Sequence, residues 1–186
     1  MRVLMVCAGN LSRSPSAALL LRRGVPDAQL LIGSAGVIAP VGEPTHPWTA
    51  AALTALGIDS SAHRARRLVP EHVEQADLVL AATRGLRADT VRIYPAGVAK
   101  VWTLREFVRH AEVAQAQLVE RGSWPGTPAE RLRVIQEHAR TLRGTLPRLA
   151  PELDDIADPI EGPAEAHRVM VAEVAEVTDR LARLLT

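Results

Sequence analysis

The chain has 186 residues, which suits one domain able to bury a core without covalent staples. Its single cysteine excludes an internal disulfide framework and a metal site built on several thiolates, and it fits a reducing, cytoplasmic compartment. The 22 Lys and Arg against 21 Asp and Glu leave a net charge of +1, so no nucleic-acid partner is expected, and no stretch approaches the roughly 20 apolar residues of a membrane span, so no membrane insertion is expected either.

Val3-Leu4-Met5-Val6 is a short continuous apolar run that ends in a glycine-containing loop, the pattern of a buried parallel strand. A helix is expected from the turn holding Pro15, through Ala17 to Leu21, as far as Gly24. Gln29 to Ile32 reads as a second strand, with Gly33-Ser34-Ala35-Gly36 as the turn after it. Pro40, Gly42, Pro44 and Pro47 then make a stiff loop before a helix near Trp48 to Leu56, stopped by Gly57. Asp77 to Ala82 reads as a third strand and Ala99-Lys100-Val101-Trp102 as a fourth. Strands alternating with helices predict an α/β fold with a parallel sheet and helices on both faces, in one domain over 1–186.

A helical insertion is expected near 109–151, where Thr127-Pro128-Ala129-Glu130 reads as a capping box. The helix it opens runs through Leu132, Ile135, Ala139 and Leu142, and Gly144 and Pro147 end it. Packing on the domain's own core is the expected role; covering the active-site edge or meeting a partner is the alternative. Ala166, Met170, Val174, Val177, Leu181 and Leu184 recur at three- and four-residue steps and predict a closing amphipathic helix, with Asp179 and Arg183 paired on its wet side.

The chemistry is concentrated in Cys7-Ala8-Gly9-Asn10-Leu11-Ser12-Arg13-Ser14, between the first strand and the first helix. The strand delivers Cys7 to the carboxyl edge of the sheet, where open α/β sheets bind ligands. The backbone N–H groups of Ala8 to Ser14 can converge on an anion, and the helix N-terminus adds donors and the positive end of its dipole. Gly9 and Asn10 are the residue types that tolerate the positive φ such a curl needs. Arg13 can grip an oxyanion with two prongs, holding a tetrahedral dianion above the Cys7 sulfur. The same donors favour a thiolate, to which the Ser14 hydroxyl can add a hydrogen bond. In-line attack of Cys7 on phosphorus, giving a phosphocysteine, is the chemistry implied.

This segment resembles the low-molecular-weight protein tyrosine phosphatases, which carry a Cys-x5-Arg-Ser/Thr loop at the N-terminus. The resemblance continues through Ser34-Ala35-Gly36, Gly57-Ile58-Asp59, His63-Arg64-Ala65-Arg66, Ala76 to Leu80 and Asp158-Pro159. It implies a three-layer sandwich around a four-stranded parallel sheet, with neither metal nor organic cofactor. It also implies Asp158 as the acid that protonates the leaving group and then the base that activates water, with Asp154 and Asp155 as nearby rivals on composition alone. Asn10 is expected to brace the loop; the resemblance extends that network to Ser34 and His63, although for His63 alone a satisfied structural histidine is the first reading.

Three departures from the family bear on function. Ser12 stands where many relatives have a second cysteine, so Cys7 has no internal thiol to resolve a sulfenate. Ile160 follows Asp158-Pro159 where an aromatic ring is common, and of the five aromatics only Trp48 follows the loop that walls the pocket, while Trp124 lies in the insertion and could reach over the site. The stretch near 109–151 is longer than the family's usual connection. Hydrolysis of phosphotyrosine, on a phosphorylated protein or a small phosphate ester, is the leading expectation. The alternatives are a protein arginine phosphatase, whose relatives place a small polar residue where Leu11 stands, and an arsenate reductase using an external small-molecule thiol. A phosphate-binding module without turnover is a further alternative, opposed by the joint presence of Cys7, Arg13 and Asp158.

Overall fold

The computed structural model describes residues 1–122, 124–147 and 149–186. Four strands, β1 (Arg2–Cys7), β2 (Leu31–Gly36), β3 (Leu78–Ala81) and β4 (Val101–Thr103), form one sheet in the order β2-β1-β3-β4. Every pairing is parallel, which requires a crossover between each pair of neighbours. Among the described residues seven α-helices supply cover and crossings: α1 (Arg13–Gly24), α2 (Pro47–Ala55), α3 (Pro70–Gln75), α4 (Arg84–Ile93), α5 (Leu104–Glu120), α6 (Pro128–Leu142) and α7 (Ala164–Leu185). β1 is buried from Val3 onward because it lies inside the sheet with cover on both faces, which is why its sequence is continuously apolar rather than alternating.

The strand order places the function. Connections leave β1 toward β2 on one side, and the chain returns to β3 on the other, so a crevice opens at the carboxyl end of β1. Cys7 is the last residue of that strand.

β2 differs from its expected extent. Gly33 to Gly36 belong to the strand and not to a turn, in register from Leu4↔Gly33 to Cys7↔Gly36. Small residues are needed here because the loop after β1 passes directly over Gly36, while the Arg66 side chain crosses Gly33. β4 begins at Val101, after a 3-10 segment that includes Ala99 and Lys100.

The stretch near 109–151 is shared between two helices, the first of which starts earlier. α5 opens at Leu104 through a Thr103–Glu106 capping box, a signal of the same kind as the Thr127–Glu130 box that opens α6. Leu132, Ile135 and Ala139 are fully buried where α6 meets α5 and α7, and Gln136 donates to the Asp77 carbonyl at 2.6 Å. This helix therefore lies on the core and not over the site edge. Arg180 of α7 grips Glu112 of α5 through two bonds of 2.8 Å, in place of the expected Asp179–Arg183 pair.

Candidate active site

The loop after β1 is held in shape by Asn10. Its φ of 56° is the only positive φ at a non-glycine position among the described residues; Gly9, expected to share that role, does not. The side chain is fully buried and saturated: Nδ2 donates to Ser14 Oγ and Ser34 Oγ, both at 2.9 Å, and Oδ1 accepts from the Arg66 backbone at 3.0 Å. His63 Nε2 meets the Asn10 carbonyl at 2.8 Å. Burial is the largest influence on His63 and, with Arg22, Arg64 and Arg66 nearby, holds its imidazole below the usual histidine range, although the Asn10 carbonyl pulls the other way.

Gly36 explains why β2 ends in small residues. A Cβ there would lie 2.4 Å from the Ala8 carbonyl oxygen and 2.7 Å from the Asn10 nitrogen, so only glycine admits the loop at this height. Beyond it the chain continues alongside the loop, with Val37 N donating to Cys7 O and Ile38 N to Ala8 O, both at 3.0 Å.

The Cys7 sulfur sits at the floor of a cavity of about 240 Å³, 2.9 Å from Ser14 Oγ and 3.2 Å from the Asn10 backbone N–H. Since Ser14 Oγ already accepts from Asn10, its own proton is free for the sulfur or, at 3.4 Å, the Ala35 carbonyl. The sulfur accepts from the Asn10 N–H and lies within reach of the Ser14 hydroxyl, an arrangement that suits a thiolate. Leu11, Ile38, Pro40 and Ile160 give the cavity apolar walls, while Ser12, Arg13 and Asp158 give it polar ones. A larger cavity of about 460 Å³ beside Arg2 and Leu30 is lined by neither cysteine nor serine among the described residues.

Arg13 is buried and donates through Nη1 to the Ile156 carbonyl at 3.3 Å and through Nη2 to the Asp158 carboxylate. Its Nε has no protein partner among the described residues. Asp158 remains 40% exposed and faces the cavity. Asp154 and Asp155 are placed elsewhere. Asp154 takes Arg84 at 2.9 and 2.5 Å and also Arg109, and Asp155 accepts from the Arg84 backbone at 2.7 Å. Burial works against ionising Asp154, but the hydrogen bonds from Arg109 and Arg84 prevail and hold its carboxyl below the usual range. These ties, with Ile156 N on the Ala82 carbonyl at 2.9 Å, pin the segment that leads into Asp158.

The aromatic residues stand apart from the cavity. Trp48 packs edge-on against His46 and His167, each at 5.6 Å, and Trp124 lies beside the Arg131 guanidinium at 5.4 Å. Sequence reasoning missed Thr49 and His167, which are fully buried behind the loop: Thr49 Oγ1 meets Ser12 Oγ at 3.0 Å and His167 Nδ1 at 2.7 Å. A threonine inside a helix and a histidine on an apolar face carry no local signal of such a contact. Among the described residues no group of three or more His, Cys, Asp and Glu could hold a metal ion, and no helix is long and apolar enough to cross a membrane.

A cysteine sulfur that accepts from a backbone N–H and shares a cavity with a buried arginine, at the edge of a parallel sheet, is the arrangement of cysteine-dependent phosphatase sites. The sequence profile of the low molecular weight phosphotyrosine protein phosphatases matches residues 2–121, and the chain belongs to that family. It is 32% identical to a protein-arginine-phosphatase of Geobacillus stearothermophilus, over 99% of this chain and 95% of that one. It is 34% identical to the low molecular weight protein-tyrosine-phosphatase Ptp of Acinetobacter johnsonii, over 55% of this chain and 70% of that one. The crystal structure of a low molecular weight protein tyrosine phosphatase from T. tengcongensis superposes with a TM-score of 0.70 at 29% identity, covering 98% of each chain. The four-stranded parallel α/β fold expected from the sequence is the fold of these structures.

Proposed function

We propose that the protein hydrolyses phosphotyrosine through a phosphocysteine intermediate, with Cys7 as nucleophile, Arg13 and the backbone of Ala8 to Ser14 as the phosphate cradle, and Asp158 as acid and base. The thiolate attacks phosphorus in line; the S–P bond forms as the bond to the phenolic oxygen breaks, and Asp158 donates a proton to that oxygen. Water then attacks phosphorus, Asp158 takes its proton, and the S–P bond breaks to release inorganic phosphate and the thiolate. The observation that carries this reading is the Cys7 sulfur, bonded by Ser14 and Asn10 at the base of a cavity whose rim holds both Arg13 and Asp158. An unpaired nucleophilic thiol supports a reducing, cytoplasmic setting.

Arginine phosphate is the second reading, favoured by the relative of that name that aligns over 99% of this chain. The walls favour an aryl ester instead. Leu11, Ile38, Pro40 and Ile160 offer apolar contact to a flat ring, and Asp158 is the only carboxylate lining the cavity among the described residues. A phosphorylated guanidinium needs more polar partners than these walls provide. The test is phosphate release from phosphotyrosine, phosphoarginine and phosphoserine peptides, with Cys7→Ser as control. The expected result is preference for phosphotyrosine and none from the variant. Preference for phosphoarginine would reverse the substrate assignment, and release by Cys7→Ser would overturn the mechanism.

A further inference from the structure

Behind the phosphate loop lies a buried polar chain that the mechanism does not use. Ser12, which lines the cavity, is 3% exposed, and Thr49 and His167 are both at 0%. Thr49 Oγ1 donates to Ser12 Oγ at 3.0 Å, and His167 Nδ1 lies 2.7 Å from Thr49 Oγ1. A threonine hydroxyl has one proton. If that proton goes to Ser12, Thr49 must accept from His167, which requires the proton on Nδ1. His167 Nε2 has no hydrogen-bond partner among the described residues. The ring cannot turn freely: His46 stacks on it at 4.2 Å with 14° between planes, and Trp48 closes its edge. His46 is itself tied to the loop, its backbone N–H donating to the Leu11 carbonyl at 3.0 Å.

The direction of this chain has a consequence at its far end. When Ser12 Oγ accepts from Thr49, its own proton is left over, and Ser12 is a lining residue of the cavity. In the reverse order Ser12 would donate to Thr49 and present only lone pairs to an incoming dianion. We propose that His167 is a positioning residue which, through Thr49, fixes the Ser12 hydroxyl as a hydrogen-bond donor to the bound phosphate. This rests on the reading of Cys7 to Ser14 as the oxyanion loop. It also gives a use to the serine that stands where relatives carry a second cysteine.

The test measures affinity for inorganic phosphate by calorimetry, apart from turnover, so that absence of hydrolysis speaks against the proposed function and not against the relay. His167→Phe keeps the ring volume and removes both nitrogens; it should weaken phosphate binding about 3- to 10-fold, the size of one hydrogen bond to a charged group. Thr49→Val should do the same with a smaller disturbance of packing, and it decides the matter if the histidine variant does not fold. Combining the two should cost no more than either alone, because both cut one chain. His167→Asn, whose amide N–H can stand in for Nδ1–H, should recover most of the affinity. Phosphate affinity unchanged in folded Thr49→Val, or losses that add in the double variant, would overturn the proposal.

Discussion

Asp158 is ion-paired to Arg13 across 145 residues of sequence, on the same guanidinium that faces the thiolate cavity. The proposed acid therefore rests on the group that a phosphate must claim. Replacing it with alanine should lower kcat for an aryl phosphate by about 10²- to 10⁴-fold, the usual contribution of a positioned general acid. Affinity for inorganic phosphate should stay constant or rise, since Arg13 loses a competing anion. Steady-state kinetics and phosphate titration read the two effects separately, and an unchanged kcat would move the acid role to another residue.

Gly36→Ala tests how far the loop depends on the strand beneath it. The added methyl would stand 2.4 Å from the Ala8 oxygen, and the loop would have to lift. A loss on the order of 10²-fold in kcat/KM is expected from a displacement near 1 Å at the nucleophile. Gly126→Ala is the control, because a Cβ there meets nothing within 4 Å.

Leu11→Thr addresses specificity at the cavity wall. Trading an apolar branch for a hydroxyl should shift the ratio of kcat/KM toward phosphoarginine over phosphotyrosine by about tenfold. Competition assays with the two phosphopeptides measure that ratio, and an unmoved ratio would remove Leu11 from the argument.

Leu132→Ala separates the role of α6 from that of the site. The side chain is fully buried between helices, so a loss of about 2–5 kcal/mol is expected from the cavity left behind. Denaturant unfolding should show that loss, while kcat per folded molecule stays at the wild-type value. A selective fall in kcat would make α6 part of the active-site edge after all.

Stability should fall on acidification below about pH 6.5, and the sign follows from the histidines. Burial holds His63, His72 and His167 below the ordinary value of 6.5. At His167, facing His46 lowers it further, while Asp158 and the Pro159 carbonyl oppose. The unfolded chain takes up protons near 6.5 and the folded chain resists, so the stability present above that pH is lost as pH falls toward the folded values. Melting temperature measured between pH 7.5 and 5, ordinary assay settings around that ~6.5 reference, should show the decline, and His167→Phe should show a shallower one.

The nucleophile was legible because its signal is local: an apolar strand, a glycine-containing loop and a helix start stand in one stretch from Val3 to Ser14. A parallel sheet with helical cover was legible from periodicity for similar reasons, whereas the strand order β2-β1-β3-β4 was not read from the sequence. Gly33 to Gly36 misled because small residues mark turns in sequence, and here Gly36 marks the close approach of another backbone and Gly33 that of the Arg66 side chain. The start of α5 was hidden although Thr103 and Glu106 form the same kind of box that revealed α6. Thr49 and His167 could not be read at all, since their meaning is a contact spanning 118 residues.

The two halves of the site belong to regions that close on each other late in the chain's own path. Cys7, Asn10, Ser14 and Ser34 hold one another within the β1-loop-α1-β2 stretch, whereas Arg13 can donate to Ile156 and Asp158 only when the segment before α7 has docked. Detaching that segment would leave the cradle around the Cys7 sulfur standing without the proposed acid. In mild denaturant, the molecule should thus pass through a form that still captures phosphate and no longer turns over ester, a decoy made from its own enzyme.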